Sequence, residues 1–163
     1  MIRALETKDI PLLIDIGNRA WKPIYDKYRK IYGEELFLFL NPNFKTSKGD
    51  EIYHKCENEP EEVLVCEEEN RIVGFITFGV DKARQIGIIN NNAVDPECGL
   101  KGLGQQMYKA ILSLFRKKGL KYVKVSTGLD EAHTPARRAY ERAGFNISRS
   151  EITYYMKLSQ IAG

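Results

Sequence analysis

Residues 98–108 read CGLKGLGQQMY, placing Gly99, Gly102 and Gly104 around Lys101 just before apolar residues at helical spacing. A strand, a tight glycine turn and a helix that starts at once aim free backbone N–H groups at one point, backed by the positive end of the helix dipole. That geometry takes a phosphate. The glycines allow positive φ and close approach of a ligand, and Lys101 adds a charge. Two common phosphate loops fail on the letters. A P-loop needs Gly-Lys-Ser/Thr, but Gly104 is followed by Gln105-Gln106. A dinucleotide fingerprint would put its third glycine at Met107 and an acid about 20 residues on, where 117–124 offers lysines and no acid.

The second group of reactive side chains runs from His133 to Phe145, with Arg137, Arg138, Tyr140 and Glu141 between them. Asp130 and Glu131 stand just before it. A third is the run Asn90-Asn91-Asn92, unusual for a strand because asparagine is depleted there. It fits a splayed polar strand lining a site, or a surface edge.

The elements that position these groups follow from periodicity. Met1 to Leu5 suits a short strand, and Thr7 caps a helix through Ile10, Leu13, Ile14 and Ile16. Trp21-Lys22-Pro23 is expected to interrupt it, with a second helix from about Ile24 to Leu40, broken near Gly33, and a third around Asp50 to Cys56. Val63–Cys66 and Ile72–Phe78 flank a turn and form a hairpin, and Ile86–Val94 is a further strand closed by Asp95-Pro96. Leu103, Met107, Ile111, Leu114 and Phe115 then mark one face of a helix ended by Gly119. Lys121–Thr127 reads as a strand. Thr134 and Pro135 begin a last helix as cap and first residue, Gly144 ends it, and Phe145 packs back on it. Closing strands at about 145–148 and 151–158 complete an α/β domain around a mixed, mostly antiparallel sheet flanked by helices. No repeat or linker divides residues 1–163, so one domain is expected.

Composition narrows the function. The net charge is +3, carried unevenly: −5 over residues 1–70 and +8 over 71–163. A basic second half suits an anionic ligand, while nucleic acid would call for basic and aromatic residues interleaved, and none is expected as a partner. No apolar run approaches the roughly 20 residues of a membrane span, and no basic-then-apolar leader opens the chain, so a cytoplasmic protein without membrane partner is expected. Cys56, Cys66 and Cys98 match neither a zinc spacing nor a disulfide framework, and with His54 and His133 the only histidines no metal is expected.

The segment Val94-Asp95-Pro96 through Gly102-Leu103-Gly104 resembles the GCN5-related N-acetyltransferase (GNAT) superfamily, in which a V-x-P strand end leads into a Q/R-x-x-G-x-G/A loop. The usual Gln/Arg falls on Gly99 and a frequent glycine on Leu100. His133 to Phe145 independently resembles the family's N-x-x-A-x-x-x-Y-E-x-x-G-F helix, with His133 in the place of Asn. The resemblance implies a single GNAT-like domain that moves an acetyl group from acetyl-CoA to a primary amine of a small molecule or peptide by direct attack. It implies a pyrophosphate grip at Leu100, Lys101, Gly102, Leu103, Gly104 and Gln105, and backbone contacts from Asn92, Ala93 and Val94 near the thioester. Tyr140 is then the acid that protonates the leaving thiolate: a phenol ordinarily titrating near 10 faces a thiol near about 8.5, leaving little driving force. Relatives place a Glu on the strand before the loop, but Ile86–Val94 holds no carboxylate. His133 is the candidate base, with a water chain as the alternative. Trp21, Tyr25, Tyr28, Tyr32 and Phe37 form either an acceptor wall or core. A homodimer is left open, and the competing class is a non-catalytic acyl-CoA-binding or sensing domain.

Overall fold

The computed structural model describes residues 1–161. Strands β1 (Ile2–Ala4), β2 (Val63–Glu68), β3 (Arg71–Asp81), β4 (Ile86–Val94) and β5 (Tyr122–Val125) form one open sheet in chain order. The first three pairings are antiparallel and β4–β5 is parallel, which demands a crossover. Helices α1 (Ile10–Tyr32), α2 (Glu34–Leu40) and α3 (Ser47–Asn58) precede β2, α4 (Leu103–Lys117) makes the crossover, and α5 (Thr134–Ala143) follows β5.

Alternation along the strands builds two cores. On one face α1 and α3 pack Leu13, Ile16 and Ile52 against Val65, Phe75 and Ala93. On the other, α4 and α5 pack Met107, Ile111 and Tyr140 against Ile76, Phe78 and Ile89. The β2–β3 turn puts Glu69 at φ 50° and Asn70 at φ 62°, the paired positive angles of a type I′ hairpin.

Four sequence expectations are corrected, the smallest being that Thr7 lies inside a 3-10 turn, Thr7–Asp9, and does not cap α1. Trp21-Lys22-Pro23 does not break the first helix: α1 runs through Pro23 to Tyr32, and Gly33 at φ 77° ends it. An interior proline costs about 3 kcal/mol. Burial of Leu13 and Ile16 before Pro23, and of the Tyr25 ring beside Phe37 and Phe44 after it, holds both halves in register and offsets that cost. At α5, a 3-10 turn at Glu131–His133 shifts the start by one, so His133 takes the cap position and Thr134 is the first helical residue. The closing strands are absent: residues 145–157 pair with no strand. Ile152, Tyr154, Met156 and Leu158 keep a strict alternation but are exposed. An alternating pattern makes a strand only where an edge accepts its hydrogen bonds. Here the segment is anchored to helices instead, Tyr155 on Tyr32 at 5.5 Å and Lys157 on Glu35 at 2.5 Å.

Candidate active site

The site is built around an irregularity in β4. Phe78 pairs with Ile89 and Ile76 with Asn92, so Thr77 alone opposes two residues, Asn90 and Asn91. This is a β-bulge. The buried Thr77 hydroxyl closes it, accepting the Asn91 N–H at 2.9 Å and donating to the Asn91 carbonyl at 3.2 Å. Asn91 turns to the α3 face, where it meets Glu51, and Asn90 points the same way, its amide and Glu62 both lying over Gly79. Asn92 turns to the α4/α5 face.

Parallel pairing with β5 stops at Ile89–Val125, leaving residues 90–94 without a neighbour on that side. The Asp95 N–H bond to the Val73 carbonyl, at 2.8 Å, fixes the antiparallel register beyond the bulge. In that register Ala93 turns its N–H and C=O to β3, while those of Asn92 and Val94 face the gap. Two of the three expected backbone contacts therefore have free donors, and Ala93 supplies a buried methyl.

Beyond β4, Asp95 anchors the turn. It accepts Arg19 at 2.6 Å and the Glu97 N–H at 2.9 Å, and the Arg19 guanidinium holds its carboxyl below the usual range. Gly99 at φ 70° and Gly102 at φ 80° turn the chain, and Gly102 caps α4 in the left-handed conformation. The first bond across this turn runs from Gln106 N–H to the Gly102 carbonyl at 3.2 Å, so the N–H groups of Leu103, Gly104 and Gln105 stay free at a helix start. The Leu103 side chain is buried, Leu100 is half-exposed, and Lys101 makes no ion pair among the described residues. The Gln105 side chain donates to the Ala139 carbonyl at 2.9 Å and thereby ties α4 to α5.

On the α4/α5 face the Tyr108 hydroxyl donates to Asn92 Oδ1 at 2.7 Å, and Asn92 Nδ2 donates to the Tyr140 hydroxyl at 3.1 Å. Both phenols are buried, and burial beside Tyr140 pushes Tyr108 well above the usual phenol range. With its oxygen accepting from Asn92, Tyr140 keeps its own proton to donate. Gly144 at φ 107° and the Phe145 N–H bond to the Tyr140 carbonyl, 3.1 Å, close α5 directly behind the phenol.

His133 stands seven residues before Tyr140, two turns up the helix or about 10 Å away along its axis. Its Nδ1 meets Asp130 Oδ2 at 2.7 Å and its ring lies 6.0 Å from that of Tyr28. Burial opposes the Asp130 charge, but the His133 bond and its own turn's N–H groups outweigh it and hold the carboxyl low. Arg137 is occupied locally, donating to the carbonyls of Gly128 and Asp130 and to Thr134 Oγ1. The structure thus brings together Asn92, Val94, the 103–105 helix start and Tyr140, and sets His133 apart.

On the α3 side of the gap lies a cleft of about 370 Å³ lined by Glu51, Asn90, Asn91, Lys124, Val125 and Ser126. A larger cavity of about 530 Å³ beside the start of α1 has most of its charged walls paired with each other, Arg3 with Asp9 and Glu67, Arg19 with Asp95. Sequence reasoning missed Thr77, Tyr108 and Glu51. A threonine inside the apolar run 72–78 was a readable signal; nothing marked Glu51. The aromatic series divides: Phe37 is core, whereas Trp21 lies under Lys48, 4.6 Å from its ammonium, and Tyr28 faces His133.

No helix of the described residues is long and apolar enough to cross a membrane, and no cluster of three or more metal-binding side chains occurs among them. In overall shape the chain is similar to an N-acetyltransferase (PaiA) from Thermoplasma acidophilum in complex with coenzyme A. The TM-score is 0.66 at 20% identity, covering 93% of this chain and 92% of that one. It is equally similar to the ribosomal-protein-S18-alanine N-acetyltransferase from Escherichia coli, with TM-score 0.67, 19% identity and coverage of 98% and 85%. In sequence it is 31% identical over 104 residues to the S-(2-succino)cysteine N-acetyltransferase of Bacillus subtilis (strain 168). That match takes in 57% of this chain and 63% of the relative, less than two thirds of its length. Residues 21–145, which hold the bulged strand, the glycine turn and the Tyr140 helix, match the profile of the Acetyltransferase (GNAT) family, and the chain belongs to that family.

Proposed function

We propose that residues 1–163 act as one N-acetyltransferase domain that moves the acetyl group of acetyl-CoA to a primary amine. The observation that carries this reading is the gap beside β4, which has free backbone donors along one wall, a free helix start at one end and a proton-bearing phenol at its side. The fit to the donor is chemical. Three N–H groups at the positive end of a fifteen-residue helix suit a pyrophosphate, and Lys101 adds a nearby cation. Free N–H and C=O groups of Asn92 and Val94 suit the amides of an extended arm and the oxygen of a polarised carbonyl. Acetyl-CoA, when bound, supplies an acyl group activated as a thioester. This chain's residues then do three things: the helix start fixes the phosphates, the Asn92 or Val94 N–H stabilises negative charge on the carbonyl oxygen, and Tyr140 gives its proton to the departing sulfur.

The acceptor we propose is the α-amine of an amino acid or a peptide. The Bacillus relative, named for an S-substituted cysteine, and the structural neighbour named for a ribosomal alanine terminus both support it. We place the protein in the cytoplasm, where Cys56, Cys66 and Cys98, all unpaired here, would stay reduced. A homodimer is compatible with the exposed alternating segment at 152–158.

The test is thiol release from acetyl-CoA with S-(2-succino)cysteine, an alanine-terminated peptide and a diamine, beside calorimetry of CoA binding. Turnover on one of them, with Tyr140→Phe lowering kcat by about 10²-fold and leaving CoA affinity unchanged, is expected. CoA binding without transfer to any acceptor would establish the alternative of a sensing domain.

A further inference from the structure

We infer that Glu51 of α3 is the carboxylate that receives the acceptor's amine proton, supplying from a helix the acid–base group that β4 itself lacks. The inference rests on the acetyl-transfer reading above and adds the residue it leaves unassigned.

Geometry carries it. The bulge turns Asn91 away from the Tyr108–Asn92–Tyr140 network and onto the α3 face. There its Nδ2 donates to Glu51 Oε1 at 2.7 Å, while Lys48 Nζ donates to Glu51 Oε2 at 2.6 Å and to Asn91 Oδ1 at 3.1 Å. Glu51 is thereby pinned to the irregular part of β4, where the carbonyl would be polarised, and lines the cleft on the opposite face from Tyr140. Its side chain is 55% exposed, open to an incoming ligand where Tyr140 is closed. The two faces divide the work that transfer needs: the proton leaving nitrogen and the proton reaching sulfur travel on opposite sides of one strand.

His133 does not serve as well. Its Nδ1 is held by Asp130, its ring lies 6.0 Å from that of Tyr28, and it is not among the residues that line the α3 cleft. The charged groups facing Glu51 are Lys48 on its own helix and Lys124 of β5 across the cleft. His54, one turn along α3, meets the Tyr53 ring edge to face. Burial opposes the charge on Glu51, but Lys48 and Asn91 outweigh it, so the carboxylate is ionised throughout the neutral range and attracts a primary ammonium.

The step balances without a further reactant. The bound ammonium first gives one proton through Glu51 to solvent; the lone pair so freed forms the N–C bond and the C–S pair leaves with sulfur. The second proton lost by nitrogen passes to Glu51 and on to solvent, and the thiolate takes the Tyr140 proton, which solvent restores.

Glu51→Gln removes the charge and keeps one acceptor oxygen where the carboxylate has two, so one of the two hydrogen bonds is lost with it, and CoA affinity measured beside transfer separates chemistry from support of α3. The assay uses whichever of the three acceptors the wild type acetylates, with calorimetry of the same acceptor on the CoA-loaded protein. The expected result is a loss of about 10²-fold or more in kcat/KM and weaker acceptor binding, with CoA affinity unchanged, and partial recovery in Glu51→Asp. Glu51→Gln activity within threefold of wild type would overturn this assignment and leave the acetyl-transfer reading standing. A wild type that acetylates none of the three overturns both.

Discussion

On the α4/α5 side of β4, Asn92 lies between two buried phenols and every polar atom there is neutral and partnered. On the α3 side, Asn91 lies between the largely buried Lys48 ammonium and the Glu51 carboxylate, which is half open to water. The two residues are adjacent in the chain and identical in type. What separates them is the environment that the two sheet faces bring: a core sealed by α4 and α5 against one bordered by a 370 Å³ cleft. A buried neutral network rigidifies and is costly to interrupt, whereas exposed charge pairs contribute little to stability and remain available to a ligand. One strand thus meets a fixed neutral network on one face and an accessible charged group on the other.

The contrast can be broken at its root. Thr77→Val keeps the shape but leaves the N–H and C=O of Asn91 without partners, and should cost about 2–4 kcal/mol in urea unfolding while abolishing transfer. A loss below ~0.5 kcal/mol would mean that the bulge does not depend on the hydroxyl. Next comes Asn92→Leu, which strands the Tyr108 donor in the core; about 2–3 kcal/mol is expected by the same measurement. Tyr108→Phe removes only one donor and should cost about 1 kcal/mol, with a modest fall in kcat as Asn92 loosens its hold on Tyr140. Smallest is Asn91→Ala, under ~0.5 kcal/mol on the wetter face, though it should raise KM for the acceptor by freeing Glu51.

Titration sharpens the same comparison because the faces fail at opposite ends of the pH scale. The Tyr108 phenol is raised in the folded chain, so its stabilisation is complete below the unfolded value near about 10 and falls as pH rises beyond it. Glu51 is lowered, so its contribution is present above the unfolded value near about 4.3 and is lost as pH falls through the folded one. Urea midpoints of wild type and Tyr108→Phe should therefore converge above pH 10, and those of wild type and Glu51→Gln below pH 4. Convergence at the wrong end for either pair would reverse its assignment.

Much of this was legible in the chain. Ile86–Val94 was bounded correctly because β-branched residues run into Asp95-Pro96, and α4 because Leu103 to Phe115 hold one helical face between glycines. The Tyr140 helix was marked by its Gly144-Phe145 ending. Pro23 misled because a local break was outweighed by packing on both sides of it, which no window of sequence contains. The segment 151–158 misled for the reverse reason: its alternation is local, but a strand needs an edge. Within the site, Asn92 and Tyr140 could be placed by motif, while Glu51 could not, since it reaches β4 across 40 residues of chain through a hydrogen bond of two side chains.

The Thr77 latch has a consequence for motion. The Asn91 amide is held by a side-chain oxygen instead of a ladder carbonyl, so one rotation about the Thr77 Cα–Cβ bond exposes it while the rest of the sheet stays intact. Its hydrogen exchange should therefore be uncoupled from the global unfolding that governs neighbours such as Ala93, giving a single-residue clock for local opening at the strand's irregular point.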